Sequence, residues 1–101
     1  MADFIKSQPY AKWIEGLKDV KGRARILAKI RAFEITGHAG DTKSIGGGLH
    51  EMRFDFGPGY RVYYAVYEQT VVLLGGDKTT QARDIKMARR YAQIWKERYQ
   101  K

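Results

Sequence analysis

An α+β fold, an antiparallel sheet covered by helices, is what three patterns in this chain of 101 residues predict. From Gln8 to Ile35 apolar residues recur at three- and four-residue spacing, the period of an amphipathic helix. From Glu51 to Leu74 the period drops to two and then gives way to a continuous apolar run, as in half-buried and internal strands. After Thr80 the helical spacing returns. Helices, then strands, then a helix, without the regular strand–helix alternation that builds a parallel sheet, define the class. The length suits a single domain over residues 1–101.

Each element has its own local reason. Tyr10, Trp13, Ile14 and Leu17 mark a short first helix, with Pro9 in its first turn, where a missing N–H costs nothing. A second helix is expected from Val20 to Ile35, with Ala24, Leu27, Ile30 and Phe33 on one stripe, Ile26 beside it and Gly37 as its stop. Joined by "KDVKG", the two form an expected αα-hairpin. A strand fits Asp3 to Lys6, and another fits Asp41 to Ile45 within the loop "GHAGDTKSIGGG". The three glycines there make a flexible connector, since no Gly-Lys-Ser/Thr follows to complete a P-loop.

Met52, Phe54 and Phe56 alternate with Glu51, Arg53 and Asp55, and Tyr60, Val62, Tyr64 and Val66 alternate with Arg61, Tyr63 and Ala65. "GPG" between them supplies a hairpin turn. "TVVLLGG" follows as an internal strand. Thr79 or Thr80 is expected to cap the last helix, whose stripe is Ile85, Ala88, Ala92, Trp95 and Tyr99. All three helices are expected on one face of the sheet.

Charge gives the first functional indication. Nineteen Lys and Arg against eleven Asp and Glu leave a net charge of +8, which favours a polyanionic partner, nucleic acid foremost. Without cysteine there are no disulfides and no thiolate metal sites. The start "MADFIKSQPY" lacks the apolar stretch of a signal peptide, and apolar runs such as "VYYAVY" are far too short to cross a bilayer, so a cytoplasmic protein with no membrane partner is expected. His38 and His50 have no metal-ligand spacing or triad partner and are read as structural.

The two arginines on neighbouring strands invite a sharper question. Pairing Phe56 with Tyr60 sets Phe54 opposite Val62 and Met52 opposite Tyr64, aligning the apolar faces. Asp55 would then oppose Arg61 and Arg53 would oppose Tyr63, leaving the arginines diagonal neighbours at roughly 7–8 Å. Two guanidinium forks at that spacing can hold one phosphate. An Arg61–Asp55 ion pair on a wet face is the plainer alternative, worth under about 1 kcal/mol. Lys78, expected at a helix N-terminus that itself favours anions, tilts the balance toward a phosphate site.

"RARILAKI", "GDTKSIGGGLHEMRFDFGPGYRVYYAV", "LLGGDKTTQARDI" and the last helix resemble the RelE/ParE superfamily of toxins from bacterial type II toxin–antitoxin modules, nearest the HigB-like "addiction module killer protein" branch. The resemblance covers nearly the whole chain. It implies a compact RelE-like α+β toxin that binds messenger RNA in the ribosomal A site, beside ribosomal RNA, and cleaves it without a metal or cofactor. It also implies an antitoxin partner carrying a helix-turn-helix DNA-binding domain. Carried over by position, Arg53, Arg61 and Lys78 match the family's basic residues on the middle strands and after the last one. Glu51 stands where a strand lysine is usual, and Asp84 where the last helix usually has tyrosine; one or the other is the expected proton acceptor. Lys43, Tyr63, Thr79 and Gln81 are the expected additional RNA contacts. ParE-like relatives instead inhibit DNA gyrase by binding alone, which is the alternative activity.

Overall fold

The computed structural model describes residues 4–99, with only the backbone of Tyr99. Five strands form one sheet: β1 (Phe4–Lys6), β2 (Thr42–Gly46), β3 (Leu49–Arg53), β4 (Tyr60–Val66) and β5 (Thr70–Asp77). Their order is β1-β5-β4-β3-β2. Strands β2 to β5 are an antiparallel meander, and β1 adds a short parallel edge beside β5. Asp3, expected to begin β1, and the side chain of Tyr99 lie outside the described residues.

The helices are α1 (Gln8–Glu15), α2 (Val20–Thr36) and α3 (Gln81–Tyr99), the last preceded by a single 3-10 turn at Lys78–Thr80. Ser7 caps α1 and is locked in place by donating its hydroxyl to the Leu73 carbonyl at 2.9 Å. Asp19 caps α2 through the Gly22 N–H, and Gly37 ends it at φ 76°, a left-handed conformation that glycine adopts without strain.

The helices do not share one face, contrary to the expectation from sequence. Tyr10 and Ile14 of α1 and Ile26, Ile30 and Phe33 of α2 pack with Met52, Phe54, Tyr60, Val62, Tyr64 and Val72 on one side. Ala88 and Ala92 of α3 pack with Leu49, Tyr63, Ala65, Val71, Leu73 and Leu74 on the other. The physical reason lies in β4 and β5, whose residues are buried at both parities, so both faces need a cover. A bulge at the Tyr63/Tyr64 register shift leaves Leu73 unpaired, so that successive residues Leu73 and Leu74 both reach the α3 side.

The buried stripe of α2 is Gly22, Ile26, Ile30 and Phe33; Leu27, expected on it, is 46 % exposed. Rotating the stripe by about one residue places Ile26 rather than Leu27 against the sheet, and each such apolar side chain contributes about 1.5–3 kcal/mol when fully buried. The stripe expected for α3 does face the sheet through Ala88 and Ala92, with Ile85 and Trp95 packed beside them.

Two adjacent glycines set how closely the layers approach. A side chain on Gly75 would run into the ring of Trp13 from α1, and one on Gly76 would run into the carboxylate of Asp84 from α3. The "GG" in the sequence is therefore a thin point in the sheet, pressed from both sides. It brings the start of α3 against β5 and so fixes what lies above Arg61, which pairs with Gly76.

Candidate nucleic-acid interface

Strand register decides the geometry of the basic residues. Arg53 pairs directly with Arg61, Met52 with Val62, Glu51 with Tyr63 and His50 with Tyr64. The expected register is thus displaced by two residues, which keeps every side chain on its face but moves the arginines from diagonal to directly opposed positions. The cause is the turn. Phe54 donates its N–H to the Tyr60 carbonyl at 3.0 Å, and Gly59 donates to the Phe56 carbonyl at 3.1 Å, so the loop runs from Asp55 to Gly59 rather than through "GPG" alone. Phe56 leaves the strand and packs edge-on against Phe54 and Tyr60, at centroid distances of 5.7 and 5.8 Å. Asp55 consequently does not oppose Arg61.

Like charges set directly across a strand pair repel, at a cost of a few tenths of a kcal/mol upward. Arg53 is relieved by Asp41 at 3.6 Å, an exposed ion pair of small value. Arg61 donates Nη1 to the carbonyls of Gly59 and Tyr60, both at 3.1 Å, while its Nε is buried without a protein acceptor. The stem of Lys78 crosses Gly59, whose φ of 77° and missing side chain leave room for Lys78 and the Arg61 guanidinium to converge. Arg53, Arg61 and Lys78 line one open cleft of about 490 Å³ with Asp41, Asp55 and the Gly57–Gly59 turn.

The helix terminus behind Lys78 contributes less than expected from sequence. Asp77, not Thr79 or Thr80, is the cap. Its carboxylate accepts from the Thr79 N–H at 2.8 Å and closes a reciprocal box with Thr80. That carboxylate occupies the N–H groups an external anion would use, so attraction in the cleft rests on side-chain charge. The Thr79 hydroxyl, first among its contacts, together with the Thr79 and Thr80 backbone N–H groups holds the Asp77 pKa below the ordinary carboxylate range.

The other residues singled out from sequence separate into an exposed set and a buried set. Lys43 sits exposed on β2, paired with Glu51, and Thr79 is exposed beside Lys78. Glu51 and Asp84 are 2 % and 4 % exposed and Tyr63 is fully buried, so none of the three faces the cleft as a proton acceptor or RNA contact was expected to. Glu51 accepts from the Gln81 side chain and Asp84 accepts from Thr80, both at 2.5 Å. The Gln81–Glu51 bond ties the first turn of α3 to β3, and Asp84 is buried with it against Gly76, an outcome that strand parity alone does not reveal. Burial, then the nearby negative charges of Glu51 and Asp84, push the Tyr63 phenol well above its ordinary pKa. Gln81 is therefore engaged in this packing network, though it is half-exposed.

Asp55, read from sequence only as an ion-pair partner for Arg61, lines this surface instead, and with it Arg25 and Lys29, which were not singled out as site residues. The Arg25 guanidinium carbon lies over Phe56, 3.9 Å from the ring centroid, and the Lys29 ammonium lies 5.1 Å from that of Phe54. Their helical spacing of four was legible, but only the turn's aromatics bring them to the cleft's edge. Elsewhere His50 stacks on Tyr64 at 5.1 Å, and Tyr60 donates its hydroxyl to Asp19 at 2.9 Å, tying the α2 cap to β4. Among the described residues no helix is long and apolar enough to cross a membrane.

Comparison with known proteins places the sequence in a family. A family model described as "Phage derived protein Gp49-like (DUF891)" matches residues 12–100. A protein of Haemophilus influenzae, strain KW20, named only as uncharacterized, is 42 % identical over 86 residues, covering 83 % of this chain and 86 % of the relative. No solved structure matches. With the α+β sheet, the C-terminal helix against it and a match across most of the chain, this protein belongs to the Gp49-like phage-derived family, a family of RelE-like toxins.

Proposed function

We propose that this protein is the toxin of a bacterial type II toxin–antitoxin module, of the HigB-like branch, and that it cleaves messenger RNA in the ribosomal A site. The observation that supports this most is the direct opposition of Arg53 and Arg61, with Lys78 converging over Gly59. A fold has no structural need to set two arginines face to face; a phosphate between them turns the repulsion into binding.

In this reading the RNA's own 2′-hydroxyl attacks the neighbouring phosphorus, forming a 2′,3′-cyclic phosphate as the bond to the 5′-oxygen breaks. Arg53 and Arg61 stabilise the charge that builds on the non-bridging oxygens. Lys78 protonates the departing 5′-oxygen. Asp55, which lines the cleft, takes the proton of the 2′-hydroxyl, the role that Glu51 and Asp84 are too buried to fill. Glu51, Gln81, Thr80 and Asp84 hold the start of α3 over the sheet and so position Lys78 and Arg61. Lys43 and Thr79 extend the RNA contact, and the ribosome supplies substrate orientation. The partner in the resting state is an antitoxin with a helix-turn-helix DNA-binding domain, and the site of action is the bacterial cytoplasm.

Primer extension on translated messages after induction tests this. Cuts within open reading frames are expected for the wild type and none for Arg61→Ala. Intact messages with inhibited DNA supercoiling would instead assign the ParE-like gyrase activity.

A further inference from the structure

A second cleft, of about 340 Å³, lies around the end of the sheet from the first and is lined by Arg25, Lys29, Asp41, Arg53, Phe54 and Phe56, with Asp55. The two clefts share Asp41, Arg53, Phe54 and Asp55, so they are halves of one furrow folded over the β3–β4 end. Its cations are Lys78, Arg61 and Arg53 on the α3 side and Lys29 and Arg25 on the α2 side. Against these five stand two carboxylates, of which Asp41 is already paired with Arg53.

The α2 half has a feature that a merely solvated basic surface lacks. Arg25 is exposed, yet its guanidinium carbon sits over the Phe56 ring, 3.9 Å from the centroid, which leaves the group's other side open to solvent. A guanidinium plane of this kind is a platform for an unpaired nucleobase, whose own face is attracted to it. Lys29 is held near Phe54, 5.1 Å from the ring centroid and one helical turn away from Arg25.

We propose that the single-stranded RNA flanking the cut bond continues from the arginine cleft over the sheet's end, stacking one base on Arg25 and placing a phosphate on Lys29. This deepens the endoribonuclease reading and rests on it. It makes the enzyme's footprint several nucleotides long and gives α2 a role in gripping substrate. A furrow bent in this way suits a single strand, which can turn over the sheet's end as a stiff duplex cannot.

The test uses fluorescein-labelled single-stranded RNAs of 4 and 12 nucleotides, made with 2′-deoxyribose at every position next to a scissile bond. Binding to the wild type, Arg61→Ala and the double variant Arg25→Ala/Lys29→Ala is followed by anisotropy at several salt concentrations. The double variant is expected to bind the 12-mer roughly tenfold more weakly, with a salt slope reduced by about 0.7 per lost phosphate contact, and the 4-mer nearly as well as wild type does. Lys29→Gln alone should show the reduced slope while keeping the stem's packing, and thermal melting checks that each variant is folded. Equal binding of the 12-mer by wild type and folded double variant overturns the proposal and leaves the cleavage reading standing. Loss of cosedimentation with message-free ribosomes, with 12-mer binding unchanged, also overturns it by assigning α2 to the ribosome. Absence of message cleavage by the wild type in cells, by contrast, removes the reading on which the proposal rests.

Discussion

The two faces of β4 differ by a single step of parity and do different things. Tyr60, Val62 and Tyr64 enter the aromatic core beneath α1 and α2, where Phe33 meets Tyr64 at 4.9 Å and Trp13 meets Tyr60 at 6.2 Å. Arg61 and Tyr63, between them, face the α3 side, where Glu51 and Asp84 are buried and Arg53 stands opposite Arg61. One face is filled by shape and burial; the other carries charges that folding alone does not explain. Polar groups held at a cost in stability are what a binding site needs, and an apolar face directly behind them keeps them in place.

This contrast can be broken from either side. The largest effect is expected at Arg61: Arg61→Ala should lower message cleavage on programmed ribosomes by about 100-fold or more, equivalent to roughly 3 kcal/mol of transition-state stabilisation, with little change in melting temperature. A variant that melts early and cuts normally would move Arg61 from the functional face to the structural one.

Next come the glycines at the thin point of the sheet. Gly75→Ala forces the Trp13 ring away and Gly76→Ala forces Asp84 away, and overpacking of this kind costs about 1–3 kcal/mol. Urea unfolding should register both losses. Only Gly76→Ala should also impair cleavage, because it lifts the start of α3 beside Lys78. Equal impairment by the two variants would mean that the faces are not separable.

Arg53→Ala is expected to separate function from stability in opposite directions. Relief of the opposed charges should leave the protein as stable or a few tenths of a kcal/mol more stable at low salt, with the gain vanishing at high salt. Cleavage should fall in the same variant. Denaturant titrations at two ionic strengths read the first part, and the ribosome assay reads the second.

The smallest effect concerns pH. The Gly22 N–H, and after it the Tyr60 hydroxyl, hold the Asp19 pKa below its ordinary value. A carboxylate depressed in the folded state contributes stability that is present above its unfolded pKa and is lost as pH falls through the folded one. Asp19→Asn should therefore flatten the acid limb of a melting-temperature profile below about pH 4, and Tyr60→Phe should flatten it less. Profiles that superimpose on the wild type would show that the cap does not couple α2 to β4.

Much of this was legible in the residues themselves. Serial helices and strands, Pro9 in the first turn of α1, the left-handed stop at Gly37 and the faces of Arg53 and Arg61 all follow from short-range preferences and from the two- and four-residue periods. Such signals are local, so they survive without knowledge of the fold. The register was not legible, because a shift of two preserves parity and hydrophobic alignment alike; only the packing of Phe56 on Tyr60 and Arg25 chose between the two pairings. The burial of Glu51, Asp84 and Tyr63 was also hidden, since it depends on how α3, the helix that follows β5, docks back over Gly76 and against β3. The sequence by itself determined the class of fold, the excess of positive charge and that Arg53 and Arg61 share a face of the sheet. Tertiary structure alone decided that the arginines meet head on, that the helices divide between the faces, and that the carboxylates lie beneath the surface. The physical reason is that these outcomes depend on contacts between residues distant along the chain, whose energies no local period encodes.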